Sequence, residues 1–162
     1  MRTILITGGA GFIGSHTAER LLKRGDRVVV LDVFAFSYDP IHKEHNCRLL
    51  EQYKEFKLYR GDIRDVELVD QIFKTEDIDG VIHLAARAGV RPSLVDPSSY
   101  MDINITGTMR ILESMREYDV DQMIFASSSS IYGSRLEGPF RETDLVDVPA
   151  SPYAATKKAG EL

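Results

Sequence analysis

The chain is 162 residues long, room for one domain with a sizeable core and little beyond it. Hydrophobic residues make up 43% and charged residues 28%, and the formal charge of −5 offers no basic footprint for nucleic acid. The single cysteine, Cys47, cannot close an internal disulfide, no apolar run approaches the roughly 20 residues that span a bilayer, and the first residues read as a strand rather than a signal peptide. A cytoplasmic protein with no membrane or nucleic-acid partner is the expectation.

In chain order, Met1–Thr7 is a short β-branched apolar run closed by Gly8-Gly9, the pattern of a buried parallel strand. Phe12, Ile13, Ala18, Leu21 and Leu22 give helical spacing that ends at Gly25. A second strand is predicted over Arg27–Val33, then a polar and aromatic loop with a helical piece from Phe34 to about Gln52. Phe56–Arg60 reads as a third strand, Val66–Phe73 as a helix and Gly80–Ala85 as a fourth strand. One long helix is predicted from about Pro97 to Tyr118. Gln122–Ser127 makes a fifth strand that enters a serine cluster. Gly133–Pro152, with Pro139, Pro149 and mixed charges, reads as a surface loop. A last helix begins near Ser151 and is still running at Leu162, so the chain reads as a piece of a longer protein. Strands alternating with helices at this spacing predict a parallel sheet covered on both faces.

The turn between the first strand and first helix is Thr7-Gly8-Gly9-Ala10-Gly11-Phe12-Ile13-Gly14, with Gly8, Gly11 and Gly14 in G-x-x-G-x-x-G spacing. Glycines at these positions allow a tight turn, close approach of a pyrophosphate to the backbone, and close packing of helix on strand. Backbone N–H groups around Phe12 and Ile13, at the positive end of the helix dipole, would then face the phosphates. A lone glycine motif is weak evidence. Here it lies in the required strand–turn–helix context, and Asp32 ends the next strand 18 residues after Gly14. A carboxylate there bonds a ribose 2′-OH and repels a 2′-phosphate, and no Arg or Lys stands at Val33-Phe34, so NAD is expected over NADP. Asp62, in Gly61-Asp62-Ile63 after the third strand, could face an adenine amino group.

Tyr153 and Lys157 stand at i and i+4, on one face of the last helix. An ammonium one turn away favours the phenolate, as a general base for a sugar hydroxyl requires. Ser127–Ser130 lies at the carboxyl end of the fifth strand, where such sheets bind ligands. His16, His42, His45 and His83 do not cluster with carboxylates at metal-ligand spacings, so no metal is expected; His83 is expected to pack at a strand end.

Taken together, the glycine loop, Gly61-Asp62-Ile63, His83-Leu84-Ala85-Ala86, Asn104-x-x-Gly107-Thr108, Ser127-Ser128-Ser129-Ser130-Ile131-Tyr132-Gly133 and Tyr153-x-x-x-Lys157 resemble the extended short-chain dehydrogenase/reductases of the nucleotide-sugar epimerase and dehydratase superfamily. The resemblance implies a Rossmann-type α/β fold, a doubly wound parallel sheet, ending before a second domain that would hold the substrate. It implies Tyr153 as base, Lys157 on the nicotinamide ribose and Ser128 bonded to the reacting oxygen. Asn104 would steady this region, and Gly8, Gly11, Phe12, Ile13, Gly14, Asp32, Asp62, Ile63, Leu84, Ala85 and Ala86 would line NAD. Val33 departs from the pattern, in which an Asn often follows the acidic residue.

The dehydratases of this superfamily carry Asp-Glu directly after the catalytic Thr, and the uronate decarboxylases carry a Glu two residues before the tyrosine; the corresponding Ser129 and Ser130 cannot do that chemistry. Ala86-Arg87-Ala88-Gly89-Val90-Arg91-Pro92-Ser93, Tyr38-Asp39-Pro40-x-x-Lys43 and the segment Asp147–Lys158 resemble UDP-glucuronate 4-epimerases. That implies a UDP-sugar substrate, transient oxidation at C4 with hydride return, and a homodimeric whole protein; Arg87 or Arg91 could meet an anionic sugar. The competing enzyme reading is a UDP-glucose/galactose-type 4-epimerase. The competing non-enzymatic reading is an NAD-sensing module, which would have no reason to keep Ser128, Tyr153 and Lys157 together. Residues 1–162 alone are expected to bind the cofactor without turning over a sugar.

Overall fold

The computed structural model describes residues 1–35, 40–135 and 138–162; Tyr38 and Asp39, quoted above, lie outside them. Five parallel strands form one sheet: β1 (Thr3–Thr7), β2 (Arg27–Asp32), β3 (Phe56–Arg60), β4 (Gly80–His83) and β5 (Met123–Phe125). Their order is β3-β2-β1-β4-β5, so the chain reverses its winding direction between β1 and β4. Ligands of such sheets bind in the crevice outside the carboxyl ends at that reversal. The register aligns those ends, with Thr7 opposite Leu31 and His83, Asp32 opposite Arg60, and His83 opposite Phe125.

Side-chain alternation assigns the two faces. Leu5, Val29, Leu31 and Val81 pack with Val69, Ile72 and Phe73 of α3 (Val66–Glu76) and with Ile111 and Met115 of α6 (Gly107–Glu117). Ile4, Ile6, Val28 and Val30 pack on the other face with Ala18, Leu21 and Leu22 of α1 (Phe12–Arg24) and Leu50 of α2 (Pro40–Leu50). Each fully buried Leu, Ile or Val contributes roughly 1.5–3 kcal/mol, and β1 and β2 are buried almost throughout because helices cover both sides. Cover ends at β5, where Ile124 on the α1 side is 65% exposed.

Several predicted boundaries move. β4 stops at His83 rather than Ala85: Leu84 still gives its N–H to the Thr7 carbonyl, but Ala85 gives its own to the Thr7 hydroxyl instead of a backbone carbonyl. β5 is shorter than predicted since the Ala126 carbonyl accepts from Lys157 rather than from a neighbouring strand. A short α4 (Val90–Val95) was absent from the sequence reading. The predicted helix from Pro97 to Tyr118 is α5 (Pro97–Met101) and α6 joined through a π-helical turn at Asp102–Thr106. The last helix, α7 (Pro152–Ala159), does not run to Leu162 but ends before Gly160, which packs on the Phe125 ring; Glu161 then accepts a hydrogen bond from Ser127. No helix among the described residues is long and apolar enough to cross a membrane.

One buried ionic cluster ties α3 to the far end of the sheet. Glu76 is 1% exposed and accepts hydrogen bonds from the Arg27 guanidinium, the Lys57 ammonium and the Tyr59 hydroxyl. Burial alone would push its carboxyl upward, but the three donors outweigh that and hold it at about 2. A pKa held below its unfolded value of 4.5 gives stability that is complete above that value and drains away as pH falls toward 2. Glu76→Gln should cost about 2–3 kcal/mol in urea unfolding at neutral pH, and the gap to the wild type should narrow below pH 5. A cost that does not change with pH would show that the cluster contributes packing and not charge.

Candidate cofactor and active site

The glycine loop sits over the winding reversal, held by the Gly8 N–H to the Leu31 carbonyl at 2.8 Å and the Gly11 N–H to the Gly8 carbonyl at 3.1 Å. Gly8 has φ of +70°, and a Cβ there would stand 2.8 Å from the backbone nitrogen of Ala85. A Cβ on Gly14 would stand 2.5 Å from the Gly8 carbonyl oxygen. The loop can therefore lie against both α1 and the exit of β4 only with glycine at these two positions. Gly11 caps α1 without a side-chain hydrogen bond, and no acidic residue occupies the first turn. The N–H groups there are open to an anion, flanked by Phe12 and Ile13, 73% and 66% exposed.

At the end of β2, Asp32 is almost fully buried and its carboxylate is held from three directions. The Ala10 N–H of the glycine loop donates to Oδ2 at 3.2 Å, the Phe34 N–H donates to Oδ1 at 2.8 Å, and Lys43 Nζ on α2 lies 2.7 Å from Oδ1. Phe34 takes φ of +52° to close this turn, and the Arg60 guanidinium stacks 4.0 Å over its ring. Asn46, three residues after Lys43 on α2, donates to the Ala10 carbonyl. The expectation of no basic neighbour at Asp32 is thus corrected: Lys43 reaches it from α2, not from Val33-Phe34, and Arg60 of β3 stands over the adjacent Phe34 ring. Sequence reasoning had quoted Lys43 but assigned it no role; its place at i, i+4, i+7 with buried Cys47 and Leu50 was the available signal. Asp62 faces Arg64, at 2.6 and 2.9 Å, which lowers its carboxyl pKa, and Arg64 also pairs with Asp102. Ile63 is 5% exposed and packs in the core against Gly107, so only its backbone is available to a ligand.

The other end of the crevice is built around α7. Ser151 caps it through the Ala154 N–H, with Pro152 in the first turn. Lys157 is 4% exposed, with Nζ 2.9 Å from the Ala126 carbonyl and 5.0 Å from the Phe125 ring centroid. Burial lowers its pKa to about 8. Tyr153, one turn earlier, is partly exposed and sets its ring edge-on to buried Tyr100, whose hydroxyl donates to the Ala88 carbonyl. Ser128 caps the 3₁₀ turn Ser129–Tyr132, which packs on α7, and its Oγ accepts from the Ser130 N–H at 3.2 Å. Asn104, buried in the π-helical turn, accepts from the Arg87 N–H and donates to the Arg87 carbonyl and Thr156 Oγ1. It locks the loop after β4, with Leu84, Ala85 and Ala86, to α7. π-turns of this kind are frequent at functional sites.

His83 lies between Thr7 and Thr108 at 2.7 and 2.9 Å, and burial holds its pKa at about 4, so it is a neutral packing residue at a strand end. Arg87 is committed to Asp96 and stacks on Tyr100, while Arg91 is exposed. No His, Cys, Asp and Glu group among the described residues could hold a metal ion.

Residues 5–162 match the family described as GDP-mannose 4,6 dehydratase. The chain belongs to that family. UDP-glucuronate 4-epimerase 4 of Arabidopsis thaliana is 48% identical over 160 residues, which cover 98% of this chain and 36% of the plant protein. The structure of UDP-glucuronic acid 4-epimerase from Bacillus cereus, in complex with UDP-glucuronic acid and NAD, superposes with a TM-score of 0.88 at 40% identity, covering 98% of this chain and 50% of that one. UDP-glucose 4-epimerase from Bifidobacterium longum, in complex with NAD+ and UDP, has a TM-score of 0.88 at 36% identity and is covered over 47% of its length. The chain spans half or less of each of these proteins.

Because Lys157 carries its charge in a place that disfavours it, the cost of burying that charge is present below pH about 8 and fades as pH rises toward the unfolded value of 10.5. Lys157→Met should therefore raise stability by about 1–2 kcal/mol at pH 7, with a smaller gain at pH 10. Chemical unfolding at both values measures this; a destabilised variant at pH 7 would show that the bond to the Ala126 carbonyl outweighs the buried charge.

Proposed function

We propose that this chain is the NAD-binding domain, carrying the catalytic side chains, of an NAD-dependent UDP-sugar 4-epimerase, with UDP-glucuronate as its substrate. The observation that carries the reading is the joint placement of an uncapped, glycine-lined helix start, a buried Asp32 and the α7 pair Tyr153 and Lys157 along one crevice. The residues present suit a dinucleotide: Gly8 and Gly14 let the loop close on Ala85 and on α1 with the first N–H groups of the helix uncapped, and the described donors leave Asp32 Oδ2 a further acceptor position for a ribose hydroxyl. Gly11, Phe12 and Ile13 would meet the phosphates, Asp62 and Ile63 would stand by the adenine, and Leu84, Ala85, Ala86 and Asn104 would border the rest. Bound there, NAD would accept and return the hydride of C4.

Tyr153, one turn before Lys157 on α7, would take the proton from O4 as general base. Ser128 would hydrogen-bond the reacting oxygen, its hydroxyl proton free to turn outward because its Oγ is an acceptor in the capping bond. Lys157 would also hold the nicotinamide ribose. For a uronic acid the oxidised sugar is a β-keto acid, so the site must hold its carboxylate where loss of CO₂ is slow. Ser129 and Ser130 stand where dehydratases and decarboxylases carry acids, which supports simple epimerisation. A second domain beyond this chain's span would grip the nucleotide, and orientation of that kind accounts for roughly 7–11 kcal/mol of a barrier. Pairing of two copies belongs to the same proposal, supported by exposed Met101, Met109 and Leu112 along α5 and α6. The similarity to UDP-glucose 4-epimerases keeps neutral UDP-hexoses as the second reading.

Tyr153→Phe should leave NADH binding by this chain nearly unchanged, read by nicotinamide fluorescence. In the whole protein it should cut conversion of UDP-glucuronate to UDP-galacturonate by about 10²-fold or more. Wild-type rates in that variant would remove Tyr153 from the chemistry. The 162 residues alone should bind NADH without converting either sugar; conversion at the whole protein's rate would place the sugar site inside this chain.

A further inference from the structure

The Asp32 carboxylate meets a cation before it meets any cofactor. Lys43 Nζ lies 2.7 Å from Oδ1, with side chains 8% and 1% exposed, so the pair is shielded from the screening that weakens surface ion pairs. Lys43 also lies 5.9 Å from the Phe34 ring centroid, and the Arg60 guanidinium is over that ring at 4.0 Å. Glu44 holds Arg60 by two bonds of 2.7 Å, so that among the described residues Lys43 is the cation bonded to Asp32.

A bare carboxylate at this place excludes a 2′-phosphate in two ways: it repels the charge, and it offers no N–H or O–H donor. The pairing with Lys43 removes most of the first and leaves the second. We propose that Lys43 is a specificity-determining residue of this chain, setting how strictly the site separates NAD from NADP by neutralising the carboxylate that would repel a 2′-phosphate. The inference rests on the cofactor reading above. Discrimination then comes from the hydrogen-bonding character of Asp32, and its electrostatic part is held in check by α2.

Fluorescence titration of the chain with NADH and NADPH tests this, with circular dichroism melts to establish that each variant is folded. Lys43→Met should weaken NADPH binding about tenfold more than NADH binding, because a 2′-phosphate then meets an uncompensated carboxylate. Lys43→Arg should restore the wild-type ratio. Asp32→Asn, which keeps the lysine and removes its charge partner, should improve NADPH about tenfold relative to NADH; this variant decides the matter if Lys43→Met does not fold. A Lys43 that merely props α2 against the sheet would weaken both nucleotides equally, and an unchanged ratio in a folded Lys43→Met chain, or no relative gain in Asp32→Asn, overturns the inference while NADH binding still stands. Failure of the unsubstituted chain to bind NADH at all would overturn the cofactor reading itself and this inference with it.

Discussion

Everything at the carboxyl edge of the sheet depends on two places where the backbone comes too close for a side chain. Gly8 lies against Ala85 and Gly14 lies against the Gly8 carbonyl, at separations that a Cβ would close. That contact brings the first helix down onto the point where the sheet reverses its winding, and it leaves the helix's first N–H groups uncapped and turned into the crevice. It also sets Thr7 where its hydroxyl and carbonyl take the N–H groups of Ala85 and Leu84. The loop after β4 is thereby fixed on one side by β1 and on the other by Asn104, whose amide reaches α7 through Thr156. A chain of direct contacts thus runs from the glycine loop to the helix bearing Tyr153 and Lys157.

The two ends of the crevice carry charge differently. Asp32 is buried with its countercharge, Lys43, beside it. Lys157 is buried against a carbonyl and an aromatic ring, with no carboxylate beside it among the described residues, and burial lowers its pKa to about 8. A desolvated ammonium in a cleft at the mouth of a sheet is a candidate for chemistry. His83 shows the contrasting case: equally buried, but neutral and bonded to two threonines, it serves packing alone.

What was legible in the sequence was what is local. β-branched runs, the glycine spacing and helical periodicity are set by neighbouring residues, and they placed all five strands and the loop between β1 and α1. Strand ends were less legible because distant groups compete for their hydrogen bonds: the Thr7 hydroxyl takes the Ala85 N–H just past β4, and Lys157 takes the carbonyl that would have extended β5. The π-helical turn was invisible to periodicity, being a one-residue insertion that turns Asn104 inward within an otherwise regular pattern. Lys43 and Arg60 were missed because only folding brings them to the end of β2. Looking only at Val33 and Phe34 for a cation overlooks what folding brings from 11 residues along the chain and from the adjacent strand. Arg64, two residues from Asp62, could have been anticipated as its partner.

A crystal structure of the chain grown with NAD tests most directly whether the glycine loop, Asp32 and α7 assemble one crevice. The predicted result is a pyrophosphate within hydrogen-bond distance of the N–H groups of Phe12 and Ile13, an adenosine ribose on Asp32, and a nicotinamide ribose on Lys157. A nucleotide bound elsewhere on the sheet, with the glycine loop empty, would contradict it.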